Sequence, residues 1–96
     1  SVDIIDTKNQ YFAMITDIIS KSIAFQSIIV NSNSNISLND EVSVVHLKEE
    51  GGGVKKEIII GKIKITWISS NTLYGRGQIV YVEKGYNIQI SDLLKK

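Results

Sequence analysis

Residues 55–69, KKEIIIGKIKITWIS, and residues 72–82, TLYGRGQIVYV, decide the fold. In the first stretch Ile63, Ile65 and Trp67 alternate with Lys62, Lys64 and Thr66. A period of two places the two sets on opposite faces of a strand, and the β-branched content disfavours a helix. Ser69, Ser70 and Asn71 supply the reversal into the second stretch. That loop pairs Ile68 with Thr72, and therefore Trp67 with Leu73, Ile65 with Gly75 and Ile63 with Gly77. Lys64 then stands beside Arg76, and Lys62 beside Gln78, on the other face. A slip of one residue would mix apolar and charged side chains on both faces, so this register is the expected one.

Gly75 and Gly77 share a face of the second strand. Glycine weakens a strand unless the chain must bend there or something large must approach. The reading is a sharply coiled strand whose bare face admits the Trp67 ring or another core side chain. Bends of this kind close small barrels; the alternative is a twisted open sheet. Further from the turn the same register pairs Ile58 with Val82 and Ile60 with Val80, on the face that carries Lys62 and Lys64. The hairpin is thus expected to be apolar on both sides at that end. The second side must be covered by the chain itself or by a partner, because large bare apolar patches are uncommon on monomers.

The bulk properties exclude more than they specify. A chain of 96 residues is one domain's worth and long enough to build a modest core unaided. A net charge of +1 offers no long-range steering toward nucleic acid or acidic lipid. There is no cysteine, so neither a disulfide nor thiol chemistry is available. Proline is absent as well, which suits long strands. No apolar run reaches membrane-spanning length. The sequence starts at Ser1 and is read as a processed chain or a piece of a longer one, with residues 1–10 as a leader or linker and 11–96 as the barrel domain.

Residues 11–20 fit two patterns. Tyr11, Ile15, Ile18 and Ser22 would make a helical stripe; Phe12, Met14 and Ile18, against Tyr11, Ala13, Ile15 and Ile19, would make a strand. The strand is favoured because Ser20, Lys21 and Ser22 form a turn signal and residues 23–30 resume an apolar, β-branched run. NSNSN at 31–35 is a loop, since its side chains favour local turns. A strand follows at 42–48, and EEGGGVKK at 49–56 is a flexible exposed connection. Its three glycines lack the lysine and hydroxyl tail, and the following helix, of a phosphate-binding loop. A polar turn around Gly85 leads to a last short strand near the C-terminus.

Two short segments echo each other: ISLNDEV at 36–42 and IQISDLL at 88–94. In each, an aliphatic pair precedes a small polar residue and then an aspartate. Asn39 tolerates positive φ better than most residues. Asp40 and Asp92 can bind neighbouring backbone N–H groups and tighten the turn. With IGKIKIT at 60–66, these turns resemble the C-terminal domain of the flagellar assembly protein T family, over residues 11–94. The family pattern has glycine before the aspartate, where this chain has Asn39 and Ser91. The resemblance implies an all-β fold: a small, single-domain antiparallel barrel of about five to seven strands built round a long central hairpin. It also implies a bacterial, periplasmic or envelope setting, and a non-enzymatic role in assembly through contacts with other protein domains, including domains of a longer parent chain.

The candidate functional residues fall into two sets. Ile58, Ile60, Val80 and Val82 are the partner-binding candidates. Lys62, Lys64, Tyr74 and Arg76 join basic side chains to an aromatic ring, as single-strand nucleic-acid binders of the OB type do; the near-zero net charge argues against that use. No catalytic, cofactor or metal site is expected. His46 is the single histidine and no cysteine accompanies it; a solvated or hydrogen-bonded histidine at a strand end is the expected reading. Asp40 and Glu41 would point to opposite faces, which does not suit an acid/base pair. The serines have no base at a recognisable spacing.

Overall fold

The computed structural model describes residues 11–28 and 36–96. The chain forms six strands: β1 Tyr11–Ile19, β2 Ser22–Ser27, β3 Glu41–Gly51, β4 Val54–Ile68, β5 Tyr74–Val82 and β6 Leu93–Lys95. They close into an antiparallel barrel in the order β1-β2-β5-β4-β3-β6. The segment over 11–20 is the strand that its turn signal predicts. The expected leader at 1–10, the loop at 31–35 and the end of the run at 29–30 lie outside the described residues.

Alternation builds the core. Ile15 of β1, Phe25 of β2, Val44 of β3, Ile63 and Ile65 of β4 and Leu94 of β6 point inward and are buried. Phe12 and Phe25 meet edge to face at 6.1 Å between ring centres, a favoured aromatic geometry. The paired glycines of β5 make room for this core. A side-chain carbon on Gly75 would lie 2.2 Å from the tip of the Phe25 ring, and one on Gly77 would lie 2.6 Å from Ile63 Cδ1. The bare face therefore receives Phe25 and Ile63 rather than Trp67.

The β4–β5 register differs from the expected one by two residues over Ile63–Ile65 and by three on either side of that stretch. Ile65 pairs with Gly77 and Lys64 with Gln78. The reversal is longer than three residues because Asn71 and Ser69 organise residues 69–73 into a loop. Asn71 Oδ1 accepts from Ser69 Oγ at 2.7 Å and from the Leu73 N–H at 3.1 Å. Ser69 Oγ in turn accepts from the Tyr74 N–H at 3.0 Å. Irregularities then interrupt the alternation. A register shift between Ile65 and Trp67 turns Trp67 outward, opposite Arg76. Two more, at Val44/Val45 against β4 and at Lys62/Ile63 against β5, displace the far end of the hairpin. An extra residue in one strand reverses the facing of everything beyond it. Ile60 is thereby carried into the core, 1 % exposed. The expectation that Ile60 shares an outer face with Ile58, Val80 and Val82 is corrected on this ground.

The EEGGGVKK segment is a tight hairpin rather than a loose connection. Gly51 pairs with Val54, and Gly52 and Gly53 both have positive φ. Two central residues of that conformation match the twist of the flanking strands.

The echo between the two aspartate turns extends to the whole barrel. The order β1, β2, aspartate turn, β3 recurs as β4, β5, aspartate turn, β6. Asn39 and Ser91 both have positive φ, 73° and 82°. Asp40 Oδ2 accepts the Ser37 N–H at 2.8 Å, as Asp92 Oδ2 accepts the Gln89 N–H at 2.8 Å. Each turn docks on the other unit. Asn39 N–H donates to Ile65 O, and Asp40 O accepts from the Ile65 N–H, both at 2.8 Å. Ser91 N–H donates to Ile15 O at 2.9 Å, and Asp92 O accepts from the Ile15 N–H at 2.8 Å. Even the irregularities correspond, since Ile15-Thr16-Asp17 and Ile65-Thr66-Trp67 each hold one. The pairs Ile23 with Gly77 and Phe25 with Gly75 are related by the same exchange, centred on Ala24 and Arg76.

Candidate functional site

The outer face of β2, β5 and β4 carries the most distinctive surface chemistry. Cross-strand pairing puts Asp17, Ala24, Arg76 and Trp67 in one row across four strands. The irregularity at Thr66 is what brings Trp67 into this row. Trp67 is 48 % exposed and Tyr74 49 %. The Arg76 guanidinium lies over the Trp67 ring, 5.8 Å from its centre, within cation–π range. Among the described residues it meets no carboxylate. Next to it a recess of about 170 Å³ is lined by Asp17, Ile19, Ser22, Ile23, Ala24 and Arg76.

The sequence candidates are only partly assembled here. Tyr74 and Arg76 are exposed on β5, and Lys64 is exposed on β4. Lys62 is half-buried, and its register partners are Ser43 and Tyr81. The basic set is therefore spread along the face, with Lys64 beside Gln78 instead of Arg76. Of the apolar set, Val80 and Val82 are 47 % and 36 % exposed. Ile58 is half-buried against the core and Ile60 is inside it. The exposed neighbour on β4 is Ile59.

Sequence reading missed two side-chain clusters. In the first, His46 Nδ1 lies 2.8 Å from Asp92 Oδ1. His46 comes from β3 and its side chain is 40 % exposed; Asp92 belongs to the second aspartate turn and is buried. A groove of about 400 Å³ opens beside them, lined also by Leu47, Lys55, Gln89 and Ser91. The only advance signal was the hydrogen-bonded reading of His46; its partner is 46 residues away in sequence. In the second cluster, Glu57 accepts from the Tyr11 hydroxyl and, at 2.8 Å, from Lys95 Nζ. It ties β1, β4 and β6 together. The bond from Lys95, and then that from Tyr11, holds the Glu57 carboxyl below its ordinary range. Burial, and then the bond to Glu57, pushes the Tyr11 phenol up.

Among the described residues no group of three or more His, Cys, Asp or Glu is gathered. They form no helix long and apolar enough to cross a membrane. What the geometry defines is a closed six-stranded antiparallel barrel with an aromatic–arginine face. No protein-family model, curated protein or solved structure matches the chain.

Proposed function

We propose that this barrel is a non-enzymatic protein-contact module that docks a partner domain on the outer face of β4 and β5. The observation that carries the reading is the half-exposed Trp67, with Arg76 stacked over it and Tyr74 alongside. Trp, Tyr and Arg are the side chains that dominate binding energy at protein interfaces. Around the closed ring the strands are paired on both sides, and among the described residues free edges remain on the outer half of the β3–β4 hairpin; contact at Trp67 is therefore made by side chains on a face rather than by strand addition. Val80 and Val82 lie further along the same pair of strands and extend the apolar surface. A bacterial envelope setting is part of the same proposal and rests on the sequence resemblance alone.

The test is photo-crosslinking in cells with a reactive residue in place of Tyr74 and, separately, of Glu50. Glu50 sits near the tip of the β3–β4 hairpin, far along β4 from Trp67. A discrete adduct from position 74, absent from position 50 and lost in Trp67→Ser, is expected. Equal adducts from both positions, or none from 74, defeat the reading.

Nucleic acid is the second reading. Its support is that Lys64, Tyr74 and Arg76 face outward on adjacent strands, with rings available for bases to stack on. Anisotropy of a labelled single-stranded oligonucleotide at low salt decides it. Lys62→Glu with Lys64→Glu must remove the binding; absence of binding, or indifference to the charge reversal, ends this alternative.

A further inference from the structure

The groove beside His46 is independent of the contact face. Asp92 is 4 % exposed and both of its oxygens are engaged. Oδ2 accepts the Gln89 N–H and Oδ1 faces His46 Nδ1, each at 2.8 Å. A carboxylate can only accept, so the ring's hydrogen sits on Nδ1. Nε2 is then the edge left for the groove, and its orientation is fixed by a buried group, the way proteins hold a histidine for use. The turn itself does not require this histidine. The first aspartate turn closes with the same side-chain bond and the same docking bonds, and Asp40 has no histidine beside it.

The rest of the lining sets the ligand's chemistry. Lys55 supplies a positive charge that is in no ion pair among the described residues. Gln89 and Ser91 supply neutral polar groups, Leu47, Ile90 and Leu93 complete the wall with apolar ones, and the charge of Asp92 is enclosed. The groove therefore favours an oxyanion. A carboxylate could accept only from a charged imidazole. A phosphate group, which titrates at about pH 6, both accepts and donates near neutrality and so meets Nε2 whether or not that atom carries a proton.

We propose that the groove between β3 and the second aspartate turn binds a phosphate group, held by His46 Nε2 and Lys55. The experiment is a titration of the isotope-labelled full chain with inorganic phosphate, followed by NMR, with acetate as comparator. Saturable shifts of the His46 ring and of the Gln89 and Ser91 amides are expected. His46→Asn retains a donor for Asp92 but has no Nε2, and should weaken binding about tenfold or more, the scale of one charge-assisted bond. Lys55→Ala, at an exposed position, should do the same, and it keeps the test decisive if the first variant does not fold. A phosphoserine peptide run in parallel separates the sources: tighter binding than inorganic phosphate assigns the groove to a phosphorylated partner, weaker binding to the free ion. Shifts that do not saturate, that survive both variants undiminished, or that acetate reproduces at equal strength overturn the proposal.

Discussion

Gly75 has the ring of Phe25 lying where its own side chain would be, so the close approach of β5 to the core depends on its being glycine. Phe25 is buried and cannot swing aside, so Gly75→Ala should cost about 2 kcal/mol, in the range of overpacked cores. Gly77→Ala should cost less, because its nearest obstacle is the end of the more adjustable Ile63 side chain, although Lys64 O stands at 3.0 Å. Urea midpoints of the two variants check this, and Phe25→Leu should rescue Gly75→Ala in a double-mutant cycle. Glu57 gives a prediction in pH. Its folded carboxyl titrates below its unfolded one, so its contribution is present above the ordinary glutamate range and is lost as pH falls through the lower folded value. Glu57→Gln should flatten the acid limb of the stability profile. Tyr11 acts in the opposite direction. Its folded phenol is raised, so its contribution is intact below the ordinary phenol range of about 10 and fades above it. Tyr11→Phe should remove that alkaline limb while leaving the neutral plateau nearly unchanged in shape. Stability measured by denaturation across pH reads both.

At the level of strands and turns, the two aspartate turns are the same device used twice, and they differ in one residue that can be tested. Ser91 holds a φ of 82° that serine adopts at a cost, whereas Asn39 holds 73° more cheaply. Ser91→Gly should raise stability by roughly 0.5 kcal/mol, the strain relieved less the chain entropy that glycine adds. Asn39→Gly should be close to neutral. Thermal melts that rank the two the other way would contradict this account. The echo of these turns was legible in sequence because a tight turn is a local affair and its residue types betray it. Strand identity was legible for the same reason, through Ile63 and Ile65 alternating with Lys62 and Lys64. The irregularities were not legible. Where a strand takes in an extra residue depends on how its neighbours curve, and nothing in ITW marks Thr66 as that residue. Alternation extrapolated past Thr66 placed Trp67 in the core, and alternation extrapolated past Lys62 in the other direction placed Ile60 outside; both sit the other way round. The candidate site followed the same division. Tyr74 and Arg76 kept their expected outward face, Lys64 landed beside Gln78, and the pairing of His46 with Asp92 depends on closure of the ring, which no short stretch records.

The molecule as a whole is a ring held shut by its shortest member. β6 has three residues and pairs with both β1 and β3. Its Leu94 is fully buried, and its Lys95 reaches Glu57 on β4. Removing residues 93–96 should leave β1 and β3 with unpaired edges, and exposed edges recruit other chains. Size-exclusion chromatography should show the truncated protein eluting earlier than the intact one, as an associated species; a truncated protein that stays monomeric and melts normally would show that the ring does not depend on β6. The position of β6 in the chain also bears on biosynthesis. Translation runs from the N-terminus and domains fold as units when their residues become available. Four of the six ladders can form once β5 has emerged from the ribosome, but the barrel cannot shut until Leu94 has cleared the exit tunnel. A nascent chain halted with β5 outside the tunnel and β6 still within it would hold out two open edges on an otherwise assembled sheet, the kind of nascent chain on which a holdase would be found waiting.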